Sequence, residues 1–387
     1  MTFGTLALLI AAGLVGPALA LLAPGRIPVV VGTIGAGVVL GTSGFDVIDA
    51  SDPTTAFLGR VGFALLMFVA GTHVPLRSPA LRPALRRGVV ATVLTAIGAT
   101  AVAALLASPL DLPTAVLALP LATSSAAIVL PLLHEHRATG DQALLVLAWV
   151  TVADVVTILV LPMALARDNA PKIALGSLVV SALAVALLLT ARAVSGRREV
   201  AYVRRMSRRY EWALDLRISL LLLATLAYVA ERTSTSILVA GFATGLVVAA
   251  IGEPRRLTRQ VRGIAHGFFI PLFFVTLGAR LDIHGLHVAQ AALLVVAATA
   301  IHVVVARLMR QPLAVGLTAT ATLGVPAAVV ELGLANGRID AGQGATLIAA
   351  ALASIGVAAV GVARLPARAP DEPEAPQPAT GTRVPAP

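Results

Sequence analysis

Long apolar segments, separated by short polar or proline-containing breaks, recur along almost the whole chain. Each segment has about 18 to 25 residues, the length that an α-helix needs to cross a hydrocarbon core of about 30 Å. The pattern predicts an all-α polytopic membrane protein with about thirteen transmembrane helices. The predicted segments lie near residues 2–23, 27–45, 56–73, 87–107, 114–134, 141–165, 172–194, 214–231, 236–252, 261–281, 286–309, 312–335 and 341–363.

Composition supports a membrane protein and excludes several other classes. Of the 387 residues, 58% are hydrophobic and 12% are charged, whereas soluble domains have roughly 25% charged residues. The net charge of +10 does not indicate nucleic-acid binding, because the basic residues lie in short loops without interleaved aromatic residues. The chain has no cysteine, which removes disulfides and thiolate metal sites, and we expect no cofactor.

The distribution of basic residues predicts how the chain is oriented. Nineteen arginines follow odd-numbered segments, whereas the opposite side holds six basic residues: Arg60, Arg167, Lys172, Arg232, Arg280 and Arg338. Cytoplasmic loops carry the excess of basic residues. We therefore expect a multi-pass protein of the inner (plasma) membrane, surrounded by the lipid bilayer, with its N-terminus outside and its C-terminus in the cytoplasm.

Composition shifts also predict the domain organisation. One transmembrane domain covers residues 1–365, with a basic cytoplasmic linker near 192–213 between two halves of about 1–166 and 213–365. The tail 366–387 is rich in Pro, Ala and Glu and lacks aromatic residues. Such a composition buries too little apolar surface to fold, so we expect a disordered cytoplasmic tail.

The two halves share a weak internal repeat. PVVVGTIGAGVVLG from Pro28 aligns with SILVAGFATGLVVA from Ser236, which places Gly37 over Gly245. Two further pairs have offsets near 200 residues: MFVAGTHV with FFVTLGARL, and ATSSAAIVL with ATLGVPAAV. Each pair is seven helices apart, so its two copies cross the membrane in opposite directions. Inverted repeats of this kind are typical of secondary transporters.

Segments five and twelve, which match in the repeat, both carry helix-breaking residues near mid-span. In segment five two prolines flank three hydroxyl residues, and in segment twelve a glycine and a proline stand beside a threonine. These residues are Pro120, Pro131, Thr123, Ser124 and Ser125 in segment five, and Gly324, Pro326 and Thr322 in segment twelve. Paired interrupted helices indicate an ion site at the membrane midplane, with half-helix ends facing the ion.

Asp154 is a carboxylate at the centre of segment six, within AWVTVADVVTILVLP. A charge there costs at least about 2.5 kcal/mol, and residues kept at that cost typically line an ion or proton path. Apolar surroundings favour a neutralised carboxylate, so a proton and a cation can compete for it. Thr151 and Thr157, one turn to either side, are either cation ligands or donors to carbonyls of their own helix.

For two other polar residues the sequence leaves two interpretations open. His266, near the start of segment ten, either exchanges charge with Asp154 or is an interfacial histidine. Glu331, in the later half of segment twelve, either belongs to an ion funnel or an internal pair, or makes a structural hydrogen bond near the membrane surface.

The segments IPVVVGTIGAGVVLG, FALLMFVAG, LATSSAAIVLPLL, TVADVVTILVLP and FFIPLFFVTLGARLD resemble the monovalent cation:proton antiporter-2 family, which has the sodium/proton exchanger fold. The resemblance spans roughly residues 5–363. It implies a six-helix core domain with two crossed unwound helices, which moves like an elevator against a dimerisation domain, and therefore a homodimer. It also implies that Asp154 is the ion-carrying aspartate and that Thr123 and Ser124 are the unwound-helix positions.

The chain departs from that family at three positions. Ala153 stands where many members have Asp or Asn. Segment ten lacks the lysine that electrogenic relatives carry there, because the one lysine of the chain is Lys172, in a loop predicted to lie outside. His73 stands where relatives commonly have an acidic residue. The stoichiometry is therefore open, and an electroneutral one-for-one exchange is favoured.

Together these features predict a secondary transporter, not an enzyme. We expect exchange of Na⁺ or K⁺, with Li⁺ a third candidate, for protons by elevator-type alternating access, with Asp154 as the shared proton and cation site. Two alternatives stay open: a sodium-coupled organic-anion symporter of similar fold, and a transport-inactive membrane sensor. An intramembrane enzyme would need paired aspartates, a Ser–His pair or an HExxH motif, and the sequence has one central aspartate without such a partner.

Overall fold

The computed structural model describes residues 2–22, 28–74, 82–165, 170–195, 198–210, 212–233, 235–251, 260–261 and 263–367. Within these ranges the chain is helical and has no strand longer than an isolated antiparallel bridge between Ala138 and Ala367. The all-α prediction is confirmed.

The helices follow the predicted segments closely. The first seven are α1 (Phe3–Leu22), α2 (Val29–Leu40), α3 (Pro53–Thr72), α4 (Arg82–Leu110), α5 (Thr114–Ala122), α6 (Ala126–Glu135) and α7 (Gly140–Leu165). The next four are α8 (Ala170–Ser195), α9 (Arg198–Arg209), α10 (Leu214–Arg232) and α11 (Ile237–Ile251). A π-helical turn (Ala265–Phe269) leads into α12 (Ile270–Ala279), and α13 (Val288–Leu308), α14 (Leu313–Ala319), α15 (Gly324–Ala335) and α16 (Ala341–Val362) follow.

The helical segments correspond in number and order to the thirteen predicted membrane segments. In the described part of the chain, nine helical segments are long and apolar enough to span a bilayer, when α5 with α6 and α14 with α15 are each taken as one segment. Three shorter apolar segments accompany them: Val29–Leu40, Ile237–Ile251 and Ala265–Ala279. With α10, these segments match the thirteen predicted ones in order.

Segments five and twelve are each broken into two helices, as predicted. The first break is the non-helical stretch 123–125, where Thr123 and Ser125 have extended backbone angles, and the second is 320–323. Pro326 is the third residue of α15, a position where the missing N–H has no intrahelical acceptor to lose. The second half-helix therefore restarts at Gly324 without losing a hydrogen bond.

The helices form two groups. The first contains α4 to α7 and α13 to α16, in which α4 packs against α5, α7 and α13, and α16 packs against α13, α14 and α15. The second contains α1 to α3, α8 and α10 to α12, in which α3 packs against α11 and α12. Helix α7 connects the groups through contacts with α8 and α11. Both broken helices and Asp154 belong to the first group.

Two glycines explain how the repeat builds the second group. Gly37 of α2 lies so close to α12 that an added Cβ would be 2.2 Å from the carbonyl oxygen of Val275. Gly245 of α11 lies equally close to α3, where a Cβ would be 2.1 Å from the carbonyl oxygen of Phe68. Segment two thus contacts segment ten in the same way that segment nine contacts segment three. This symmetry is expected of an inverted repeat, because segments two and nine are equivalent and so are segments three and ten.

We expect Gly37→Ala to destabilise the protein by about 1–3 kcal/mol, because the added methyl forces α2 and α12 apart. Gly35→Ala on the same helix is the matched control, since a Cβ at Gly35 meets no atom within 4 Å. Thermal unfolding of the purified protein in detergent measures both. Equal unfolding temperatures for the two variants would contradict the close-contact interpretation.

Three features differ from the sequence prediction or extend it. Segment two, predicted as 27–45, forms a helix that ends at Leu40, because Gly41 leaves the helix in an extended conformation. The basic linker contains a helix, α9, that was not predicted. The predicted disordered tail begins with two ordered residues, since Thr139 N–H donates to Pro366 O (3.0 Å). Residues 368–387 of the tail lie outside the described ranges.

Candidate ion site at the helix crossing

The two broken helices meet at their breaks. The backbone N–H of Ser125 donates to the carbonyl of Ala321 at 2.7 Å. The Ser124 hydroxyl donates to the carbonyl of Ala319, the last residue of α14. Backbone groups that an intact helix would satisfy internally are satisfied here across the crossing, so each break supports the other.

Asp154 lies on α7 beside this crossing, and it is buried, with 7% of its surface exposed. Its Oδ2 accepts a hydrogen bond from the backbone N–H of Ala126 at 2.8 Å. Ala126 is the first residue of α6, and the N-terminal end of a helix carries partial positive charge and unsatisfied N–H donors. The break thus presents a positive helix end to the carboxylate.

A chain of hydroxyls joins the first break to α7. The Thr157 hydroxyl donates to the Ala153 carbonyl at 2.6 Å, which uses its proton. Thr123 Oγ1 lies 3.0 Å from Thr157 Oγ1, so the Thr123 hydroxyl is the donor in that pair. The oxygen lone pairs of Thr123 therefore stay available to a ligand that seeks an oxygen.

Three buried hydroxyls have no hydrogen-bond partner among the described residues: Thr151 Oγ1 and Thr322 Oγ1, in the segments that form the crossing, and Ser177 Oγ on α8. Thr151 lies one turn before Asp154 on α7. Thr322 borders a cavity of about 20 Å³ that Pro120 and Ser354 also line, enough for one water. Because buried polar groups are normally satisfied, the Thr151 and Thr322 positions both fit a bound ion or water.

The last two predicted residues lie in the π-helical turn before α12 and on α15. His266 is exposed, in the π-helical turn that leads into α12. Glu331 of α15 forms an ion pair with Arg280, which donates from Nη1 to both carboxylate oxygens at 3.0 and 2.9 Å. Since Arg280 caps α12, this pair joins the two groups of helices. It lines a cavity of about 600 Å³ together with Asp49 and Arg60.

A divalent-metal centre is not evident in the described residues, which contain no cluster of three His, Cys, Asp or Glu side chains. The site instead combines one carboxylate, hydroxyls, backbone carbonyls and helix ends. Hard, weakly bound cations prefer oxygen donors of this kind.

The family model for the transmembrane sodium/hydrogen exchanger matches residues 8–367 of the chain. The chain belongs to the sodium/hydrogen exchanger family. The resemblance seen in the sequence is thereby confirmed, and so is the multi-pass character of the protein. Family membership makes this chain a transporter for which sodium ions and protons are the implied transported species.

Comparison with solved structures gives the fold independently. The exchanger is similar to the sodium proton antiporter MjNhaP1 from Methanocaldococcus jannaschii, solved at pH 8, with a TM-score of 0.64 and 16% sequence identity. The match covers 94% of this chain and 99% of that one. No curated protein matches the chain in sequence. At this identity the structural match supports the fold alone.

Sequence reasoning missed one buried ionisable residue of the exchanger, His302 on α13. Its side chain is fully buried, and its ring stacks on Trp149 of α7 with centroids 5.5 Å apart. The signal was present, because His302 is the one ionisable residue between Val288 and Ala306. Its neighbours are distant in sequence, so the pattern gave no reason to connect it with the breaks.

Proposed function

We propose that this exchanger transports a monovalent cation, Na⁺ or K⁺, across the plasma membrane in exchange for protons, with Asp154 as the shared binding site. One observation carries the proposal. A buried carboxylate, Asp154, meets the N-terminal end of α6 where two broken helices cross. A negative charge in this surrounding favours occupation by a proton or a cation.

Coupling of cation movement to proton movement follows from the free-energy cost of moving the unoccupied site across the membrane. A bare carboxylate is expensive to carry through an apolar interior, whereas a protonated or cation-bound carboxylate is neutral overall. The site therefore crosses only when it is occupied, and a proton and a cation exchange places. Because Ala153 is neutral and α12 contains no lysine, one proton exchanges for one cation and the cycle is electroneutral.

The ligand set combines Asp154 with neutral oxygens around the first break. Thr123 contributes the lone pairs that its donation to Thr157 leaves available, and Thr151 contributes a buried hydroxyl that lacks a described partner. Carbonyls of the broken stretches complete the shell, while Ser124 and Ser125 maintain the crossing. These donors suit Na⁺, K⁺ and Li⁺, because selectivity among them depends on cavity size and ligand number.

We expect Thr151→Val to raise the apparent KM for the cation about tenfold, the loss of one oxygen contact, with little change in maximal rate. Thr95→Val on α4 is the matched control, because that buried hydroxyl bonds only its own helix at Ala91 O (2.8 Å). Initial exchange rates at varied cation concentration measure both. A similar KM for the two variants would remove Thr151 from the ligand set.

Alternating access is assigned to movement of the group that contains Asp154 against the group that contains α3, α11 and α12. The division of the helices into two groups supports this elevator-type movement. The second group provides the dimer interface of a homodimer. The N-terminus faces outside and the C-terminus faces the cytoplasm, in agreement with the basic loops.

Purified protein in liposomes with a trapped pH dye and an imposed pH gradient tests this function. Addition of Na⁺ or K⁺ should collapse the gradient, and a membrane-permeant ion that clamps the voltage should leave the rate unchanged. If no monovalent cation collapses the gradient between pH 6 and 9, the exchange proposal fails. Gradient collapse by Na⁺ only together with an organic anion would favour the symporter alternative.

A further inference from the structure

His302 is attached to both broken helices through a single hydroxyl. Its Nε2 lies 3.3 Å from Ser124 Oγ, in the middle of the first break. The same Oγ donates to the carbonyl of Ala319, at the end of α14. The other ring nitrogen, Nδ1, lies 2.8 Å from the carbonyl of Ala298, one turn earlier on α13.

The number of protons in this series of contacts, from Ala298 through His302 and Ser124 to Ala319, determines which atoms donate and which accept. The series begins and ends on carbonyl oxygens, which only accept, so Nδ1 carries a proton and donates to Ala298. The Nε2 of a neutral ring is then an acceptor. Ser124 has one hydroxyl proton, which His302 Nε2 and Ala319 O share as acceptors in a three-centre hydrogen bond. His302 belongs to α13 and Ala319 to α14, so the Ser124 hydroxyl points away from α7 and towards these two helices.

The opposite side of the same stretch contains the ion site. Thr123, directly before Ser124, reaches Thr157 of α7, and Ala126, two residues after it, donates its N–H to Asp154. The position of Ser124 therefore determines how the backbone between residues 123 and 126 faces the carboxylate. A ligand shell responds to shifts of a fraction of an ångström, so the support behind it matters.

The surroundings of the ring contain few charges. Helices α5, α14 and α16, which pack against α13, contain no ionisable residue, and the arginines of α4 lie within its first two turns at residues 82, 86 and 87. Helix α7 contributes Trp149 to the ring face and, five residues later, Asp154. No described ion pair involves His302. The ring is therefore available as a neutral hydrogen-bonding support.

We propose that His302 is a positioning residue of the ion site, which holds Ser124 and thereby sets the broken stretch 123–125 against Asp154. The inference rests on the proposed exchange function. It assigns to α13 a part in cation affinity, although this helix contributes no side chain to the Asp154 contacts.

A set of variants in the liposome exchange assay tests this role. His302→Phe keeps an aromatic ring on Trp149 but has no acceptor for Ser124, and we expect the apparent KM for the cation to rise about tenfold while the maximal rate stays within about twofold. His302→Gln offers an amide oxygen to Ser124 and should restore most of the affinity. Ser124→Ala removes the same link from its other end and should raise the KM similarly.

The double variant His302→Phe/Ser124→Ala separates positioning from packing. If the two residues act through one hydrogen bond, the double variant has the KM of Ser124→Ala alone. Additive increases, an unchanged KM in Ser124→Ala, or equal losses in His302→Gln and His302→Phe would overturn the inference. Should His302→Phe fail to fold, Ser124→Ala and His302→Gln decide the question. Wild-type protein without exchange would overturn the exchange function itself and this inference with it.

Discussion

Asp154→Asn should abolish cation-driven proton movement and leave the protein folded. Asparagine has nearly the same shape and keeps an oxygen that can accept from the Ala126 N–H, which Asp154 Oδ2 accepts at 2.8 Å. It carries no charge and releases no proton, so neither substrate can be exchanged at the site. The exchange rate should fall to that of protein-free liposomes, while the unfolding temperature stays near the wild-type value.

Asp141→Asn is the matched control, because Asp141 lies in the first turn of the same helix and is exposed. This variant should exchange cations at the wild-type rate. In the wild type, acidification should raise the apparent KM for the cation by up to about tenfold per pH unit, since one proton competes with one cation. Cation-driven exchange that persists in Asp154→Asn would show that another group carries the ion.

Cross-linking the two groups of helices should arrest exchange reversibly. The ion pair between Arg280 of α12 and Glu331 of α15 spans the two groups, so it must separate if one group slides against the other. The chain has no cysteine, which leaves no competing thiol. In Arg280→Cys/Glu331→Cys, a short thiol-reactive bifunctional linker should reduce exchange to background, and a reductant that cleaves the linker should restore it.

An equivalent pair within one group provides the control. Arg60 of α3 and Glu231 of α10 also form an ion pair, and both helices belong to the second group. Linking Arg60→Cys/Glu231→Cys should leave exchange intact, because these helices move together. Exchange that continues after complete linkage across Arg280 and Glu331 would contradict movement of one group against the other.

Much of the fold follows from local features of the sequence. Apolar length alone separates the membrane segments, because a bilayer sets the length of each helix. The breaks in segments five and twelve follow from prolines and a glycine near hydroxyl residues, which weaken the helix and satisfy freed backbone groups. Asp154 stands out for a similar reason, since a carboxylate within an apolar segment is expensive and rarely without a role.

Contacts between distant segments could not be predicted in the same way. Glu331 kept several interpretations until its pairing with Arg280, 51 residues earlier, was known. His302 and Ser124 are 178 residues apart, and no periodicity connects them. The repeat came closest to a long-range prediction, because it aligned Gly37 with Gly245 and the structure places these two glycines in equivalent helix contacts. Helix α9 was missed because its arginines were interpreted only as a signal of orientation.

Proton release on cation binding tests the central claim, a single site shared by both substrates, most directly. Purified protein in a weakly buffered detergent solution is titrated with Na⁺ or K⁺ while the pH and the heat of binding are recorded. We expect the wild type to release up to about one proton per bound cation, most at acidic pH where the site is occupied by a proton, and Asp154→Asn to release none. Cation binding to the wild type without proton release at any pH, or equal release from Asp154→Asn, would contradict the shared site.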